Sequence, residues 1–309
     1  MKENKKRTCC LKGLRKKQTW QKIGRKAFPY LLVMPSTLFK LVFTVYPCIY
    51  LVRLSFYEFN LVKPEKWVGL TNYIHMFTKN IDFWYALKNT AVYTISIVFV
   101  LIFFGLVFAV WLQNDSRVNS FVQRAMFVPH IVGMLSVSMI FQWMLDDEGL
   151  FNTVLNFFNL PGLRWLNSKS TAMFCIVLVA AWKGVGYYAL ILLSSLKSIP
   201  AEVNEAALLD DAGAVNRFFK ITMPMLSPQI FFLLVTITMS SFKVFESVRQ
   251  MTGGGPGNAT NVLVYYIYKY AFSFNKYGYA AAAGTVLMVI MLVMTVFYFK
   301  ALGNKVHYQ

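Results

Sequence analysis

The sequence predicts an all-α polytopic membrane protein with six transmembrane helices, and three observations carry that expectation. Of 309 residues, 57% are hydrophobic, 17% aromatic and only 14% charged, far from the mix of an average soluble domain. Six apolar runs, at about 29–55, 91–112, 121–145, 171–196, 229–251 and 280–302, each exceed the roughly 18–20 residues a helix needs to cross about 30 Å of hydrocarbon. Helices are required because backbone polar groups left unpaired in lipid are costly. Finally, the net charge of +18 is unevenly placed. With a cytoplasmic N-terminus, the inner segments hold 18 Lys and Arg, the outer loops eight and the spans five. That bias sets the orientation, both termini cytoplasmic, by the positive-inside rule. It points to anionic lipid headgroups, not nucleic acid, as the partner of the basic residues.

Residues 1–27 form a basic tail; eleven Lys and Arg fall in the first 28 positions. The first apolar run is interrupted by Lys40 and Pro47, and no small-residue cleavage site follows, so it reads as a retained span. Lys40 either faces the bundle interior or snorkels. The outer segment 57–90 holds a turn, Val68-Gly69-Leu70-Thr71-Asn72-Tyr73, that opens a short helix, and a helical stretch from Phe83 to Leu87 that leads into span two. The inner loop 113–120 is tight and polar. The outer segment 146–170 carries Asp146, Asp147 and Glu148, which read as a solvated loop or a contact for an extracytoplasmic partner. Segment 252–278 opens with Thr252-Gly253-Gly254-Gly255-Pro256-Gly257, too rich in Gly and Pro for a helix. From Val262 to Phe274 tyrosines and aliphatics recur at helical spacing, as in an interfacial helix. No internal repeat and no pair of interrupted helices is evident, which argues against a stand-alone channel or secondary transporter.

The sequence also lacks certain chemistry. It has no G-x-x-x-x-G-K-[ST] phosphate loop, so it does not bind ATP by that route. His75, His130 and His307 lie in different segments, and Cys9, Cys10, Cys48 and Cys175 have no metal-ligand spacing. No clustered catalytic groups suggest an enzyme, and no metal or cofactor is expected in this chain.

The inner loop, residues 200–228, is a polar island with helical pattern between two spans. Pro200 suits a first helical position, and Glu202 and Glu205 fall near a helix N-terminus, where negative charge is favoured. Ala206, Ala207 and Leu209 give a small apolar face; Asp210, Asp211 and Gly213 supply turn chemistry. Val215, Phe218, Phe219 and Ile221 begin a second apolar face that Pro224 and Pro228 end before the next span. The pattern is helix–turn–helix. Its plainer reading is a loop helix lying flat on the bilayer.

These residues carry a resemblance. Glu205-Ala206-Ala207, Asp210, Ala212, Gly213, Phe218 and Ile221-Thr222-Met223-Pro224 closely resemble the E-A-A loop of binding-protein-dependent ABC importer permeases, in particular the carbohydrate branch related to the maltose permease subunits. The resemblance implies the type I importer permease fold over residues 28–309, with 200–228 as a cytoplasmic coupling loop that inserts into a cleft of an ATPase subunit. Asp211 stands where the family usually has glycine, and Met223 where it usually has leucine. Val68-Gly69-Leu70, Asn72-Tyr73, Phe83 with Ala86, Asn89-Thr90, Trp143, Gly149-Leu150, Asn152, the Thr252–Gly257 run and Tyr266 to Ala282 resemble the same branch.

Polar groups inside spans are costly and default to function. Span four contains Trp182-Lys183-Gly184-Val185-Gly186-Tyr187-Tyr188, where glycines admit a close neighbour and aromatic faces suit sugar rings. By resemblance, Gly184 and Tyr187 match positions lining the substrate pathway, as do Ser240, Ser241 and Val244 in span five; Lys183 joins them. Lys243, Glu246 and Arg249 follow at three-residue steps, which also fits a bracing Lys243–Glu246 ion pair. The function implied is the permease subunit of an ATP-driven importer in a bacterial cell membrane, moving a sugar or oligosaccharide. Its implied partners are a second, homologous permease subunit, two ATPase subunits that bind ATP and Mg, and an extracytoplasmic solute-binding protein. A glycerol-3-phosphate or glycerophosphodiester importer is the alternative, since Lys183 and Lys243 could meet a phosphate as point charges.

Overall fold

The computed structural model describes residues 29–62, 64–209 and 213–301; the basic tail, Asp210 to Ala212 and the C-terminal 302–309 lie outside them. The chain divides at Arg53 into two units. In the first, helix α1 (Pro29–Leu54) is long and apolar enough to cross a membrane and buries none of that stretch within the chain. Pro47 offers no N–H to the preceding turn, and the helix widens into a π-turn over Leu41–Val45 just before it.

The second unit opens on a two-stranded ribbon, β1 (Tyr57–Glu58) against β2 (Lys66–Trp67), antiparallel with Tyr57 opposite Trp67. This ribbon is the departure from an all-α chain. Gly69 takes φ +57°, a left-handed turn suited to glycine, and releases α2 (Thr71–Thr78). Asn80 caps α3 (Ile81–Trp111), its side chain accepting from the Asp82 N–H at 3.1 Å. The expected helical stretch and span two are thus one helix of 31 residues.

The third span departs from expectation. In place of a single run at 121–145, α4 (Arg117–Ile131) and α5 (Met134–Met144) meet at 97°. Pro129 withholds a donor from the last turn of α4, and Val132 and Gly133 are extended, with ψ near 139–140°. So an interrupted helix is present after all, though hydropathy hid it. There follow α6 (Leu150–Phe157), the spanning helix α7 (Ala172–Lys197) and the loop helix α8 (Ala201–Leu209).

Span five is also shifted. Its helix, α9 (Ala214–Ser241), begins inside the expected loop and runs through Pro224 and Pro228 without stopping. A π-turn over Phe218–Thr222 stands before Pro224, as one does before Pro47, so the proline does not end the helix. The helix stops at Ser241, ten residues short of the predicted 251. There Ser240 and Ser241 turn their hydroxyls back to the Thr236 and Thr238 carbonyls, competing with backbone bonds. The chain then turns into α10 (Glu246–Met251), α11 (Leu263–Tyr268) and the last span, α12 (Tyr277–Ala301).

The main core joins α3 and α7 with α5 and α9 through Tyr93, Ile97, Leu101, Val137, Ile176, Leu192 and Leu233. Small residues let backbones approach: a Cβ on Gly105 would stand 3.2 Å from Leu192. Closer still, a Cβ on Gly186 would fall 1.9 Å from the Met126 carbonyl oxygen, so α4 crosses α7 directly on that glycine. A second core gathers Met76, Phe83, Leu263, Tyr266 and Tyr279; the aromatic helix α11, expected to lie at the interface, is thus partly internal. Burial, then its hydrogen bond with Tyr279, pushes the Tyr266 hydroxyl pKa up.

Asparagines pin the connecting segments to this frame. Asn72 donates to the Ser55 and Tyr57 carbonyls at 2.9 and 3.1 Å. Asn89 donates to Asn258 and Asn261 at 2.7 and 3.0 Å, and Thr90 accepts from the Leu263 N–H at 2.8 Å. Asn152, buried, donates to Asp147 and Leu163 and accepts from Leu163 and from the Trp165 indole. Buried backbone groups must find partners; in loops without regular structure these side chains supply them.

Candidate functional site

Halfway along α7 the helices part around a cavity of about 550 Å³. From α3 come Tyr93, Ile97 and Leu101; from the α4–α5 break, His130 and Met134; from α7, Ala180, Lys183, Gly184 and Tyr188. The end of α9 and the turn into α10 supply Ile237, Ser240, Ser241, Lys243, Val244, Phe245, Glu246 and Ser247. The break in span five turns several polar side chains toward one space where a continuous helix would spread them around its circumference.

Five of the six residues proposed for the pathway, Lys183, Gly184, Ser240, Ser241 and Val244, meet at this cavity, whereas Tyr187 is not in its lining. Tyr187 instead stacks on His130, rings 4.1 Å apart and 5° from parallel. Lys183 donates from Nζ to the His130 carbonyl at 2.9 Å. That carbonyl lies in the last turn of α4, where a cation is favoured. The broken end of α4 is thus held by α7 from two sides. Offset or parallel aromatic contacts of this kind contribute about 0.5–1.5 kcal/mol. Tyr187→Ala is therefore expected to lower uptake severalfold by freeing His130, while association with other subunits persists; uptake kinetics at the parent level would exclude this role.

The expected Lys243–Glu246 ion pair does not form among the described residues. The helix unwinds between them, with Phe245 at φ −146°, so the three-residue stripe is broken. Arg249 lies over the rings of Tyr268 and Phe245, at 4.6 and 5.8 Å. At the floor, the Ser241 and Thr94 hydroxyls lie 3.1 Å apart, tying α9 to α3. Above, Gln250 donates to Gln142 at 2.9 Å, tying α10 to α5. Sequence reasoning missed His130, Tyr93, Phe245 and Ser247, and Pro129 was the one local signal for the break that exposes His130.

At one end of the bundle α8 and the first turns of α9 form a second candidate surface. Glu205 and Ala206 are exposed and Ala207 is buried. Leu209, Val215 and Phe219 present apolar side chains at 89%, 71% and 63% exposure. Gly213 caps α9 at φ −56°, ψ 151°, and a Cβ there would meet nothing within 4 Å. Its conformation is therefore open to any residue. Phe218, Ile221 and Pro224 are half-buried on the bundle side, and Asp210 lies outside the described residues. Phe218 and Phe219 share a cleft of about 750 Å³ with Val110, Leu196 and Lys197. Lys197 pairs there with Asp115. Among the described residues, no group of three or more His, Cys, Asp or Glu could hold a metal ion.

Apolar helices of spanning length around a mid-bundle cavity that two lysines, a glutamate and serines line, with a loop helix presented at one end, define a membrane-embedded transport subunit. The family profile for the binding-protein-dependent transport system inner membrane component matches residues 101–306, and the chain belongs to that family. It is 34% identical over 281 residues to the probable ABC transporter permease protein YurN of Bacillus subtilis, covering 89% of this chain and 96% of that protein. It is 32% identical to the sulfoquinovosyl glycerol transport system permease protein SmoG of Agrobacterium fabrum, over 93% and 94% of the two chains. The sn-glycerol-3-phosphate transport system permease protein UgpA of Escherichia coli O157:H7 is likewise 32% identical, over 91% and 96%. In fold, the chain is similar to a chain in a bacterial ABC transporter involved in importing the acidic polysaccharide alginate, with TM-score 0.81 and 23% identity over 93% of this chain and 99% of that one. The chain is accordingly a permease component and not an enzyme.

Proposed function

We propose that this chain carries a sugar or oligosaccharide across a bacterial cell membrane as one of two permease subunits of an ATP-driven importer. The observation that carries the reading is the cavity halfway along α7, where Tyr93, Tyr188 and Phe245 offer aromatic faces beside the hydroxyls of Ser240 and Ser241. Aromatic surface with a few oriented polar groups is the usual chemistry of a small-molecule site. Relatives named for sulfoquinovosyl glycerol and arabinooligosaccharides support the carbohydrate class. Lys183 and Lys243 in the same lining favour a second reading, a glycerol phosphate, for which UgpA is named.

Drive comes from the loop end. The exposed acids and apolar knobs of α8 and early α9 form a surface for an ATPase subunit, and the positive-inside bias puts that end in the cytoplasm. Closure of two ATPases on ATP would draw this loop toward its counterpart on the second permease and open the cavity outward, where a solute-binding protein delivers its load. The coupling is reciprocal: a loaded binding protein favours ATPase closure. A solved alginate transporter in complex with its loaded periplasmic protein supports that delivery route. Affinity purification of the tagged chain from mild detergent tests the reading. An ATPase and a second permease should co-purify in stoichiometric amounts; a chain recovered alone in active form would overturn it.

A further inference from the structure

Four features of the mid-bundle cavity remain unmatched by a neutral sugar. Lys243 lines it at an exposed position, and no carboxylate or hydrogen-bond acceptor among the described residues reaches its ammonium. Ser247 also lines it; the residue is 1% exposed, yet its hydroxyl has no hydrogen-bond partner. The Nδ1 atom of His130, on the opposite wall, is buried and equally without a partner. The lining holds two lysines, Lys183 and Lys243, against one carboxylate, Glu246, which leaves an excess positive charge.

Buried polar groups are nearly always satisfied, and an unpaired cation inside a membrane protein faces either a counter-ion or a water-filled path. Three such groups, brought to one cavity by α4, the turn after α9 and α10, are hard to ascribe to packing. We propose that the transported solute bears a negatively charged group, a carboxylate, sulfonate or phosphate on a sugar or polyol, which is received by Lys243 and the Ser247 hydroxyl. An oxyanion would accept from both donors in charge-assisted bonds. The aromatic side of the cavity, Tyr188 and Phe245, is left to the ring or chain that carries the charge. This inference rests on the carbohydrate-importer reading and narrows its substrate to anionic members.

The test uses the intact complex, with its cognate binding protein, in proteoliposomes. Three anionic probes, sn-glycerol 3-phosphate, a glucuronate disaccharide and 6-sulfonated glucose, distinguish the acid group; maltose and raffinose are the neutral probes. An anionic probe should be imported with the lowest KM. Lys243→Gln should raise that KM about tenfold with a smaller change in kcat, Lys243→Arg should restore it to within about threefold, and Ser247→Ala should raise it severalfold. Preferred import of maltose or raffinose, or a Lys243→Gln change that slows anionic and neutral probes alike, overturns the inference. Failure of the importer reading shows separately, as loss of ATP dependence for every probe.

Discussion

Gly213→Leu is expected to leave the chain inserted and folded while uptake falls by about tenfold or more, equivalent to at least about 1.4 kcal/mol of lost coupling. The expectation rests on an absence of cost within the subunit. Gly213 has an ordinary negative φ, and a Cβ there would meet nothing within 4 Å among the described residues, so a side chain is expected to cost the chain itself little. The loss of uptake is then expected from a side chain standing between this loop and the ATPase subunit proposed to dock there. Glu205→Ala should produce the same separation of ATP hydrolysis from uptake, because Glu205 is exposed on the adjoining helix and no hydrogen bond or ion pair ties its side chain to the bundle among the described residues. The check is paired: thermal stability of the purified complex, which should match the parent, and ATP-driven uptake, which should not. Parent-level uptake in Gly213→Leu would remove this loop from the drive mechanism.

Gly186→Val is expected to fail earlier, at folding. Its Cβ would fall 1.9 Å from a backbone oxygen, that of Met126, and 2.6 Å from the carbonyl carbon. Backbone cannot yield as a flexible side-chain tip does, so α4 must lift off α7. Overpacking costs about 1–3 kcal/mol where the neighbours can adjust, and more is expected here. The displacement would also part His130 from Tyr187 and Lys183, contacts that hold the broken span against α7. Gly133→Ala is the control, since a Cβ at the hinge of the same span meets nothing within 4 Å. Melting of the detergent-solubilised protein should fall for Gly186→Val and stay unchanged for Gly133→Ala; equal melting in both would contradict the assigned crossing.

Span positions were legible because length and apolarity alone decide whether a segment can cross hydrocarbon. What the runs concealed was their internal breaks. Residues 121–145 look continuous by hydropathy, yet Pro129 and extended Val132 and Gly133 bend them by 97°. Pro224 and Pro228 pointed the other way, as helix ends, but the π-turn at Phe218–Thr222 carries the helix through. Within the site, residue type identified Lys183, Ser240 and Ser241, because polar groups in an apolar span stand out. Ser247 and His130 do not stand out in that way; their standing comes from having no partner once the fold is made, which is a tertiary fact. Asn72, Asn89 and Asn152 were noticed only as family-like residues. Their task, satisfying loop carbonyls, depends on which carbonyls the helices leave unpaired.

On the function proposed, this chain conducts solute only when driven by an ATPase docked at the α8–α9 loop. The most direct measurement is uptake of labelled solute into proteoliposomes holding the complete complex and loaded binding protein, with ATP present, with ATP withheld, and with the ATPase subunits omitted. Accumulation should occur in the first condition and be absent from the other two. Accumulation or equilibration through this chain without ATPase subunits would contradict the account and return the chain to the class of stand-alone channels or secondary transporters.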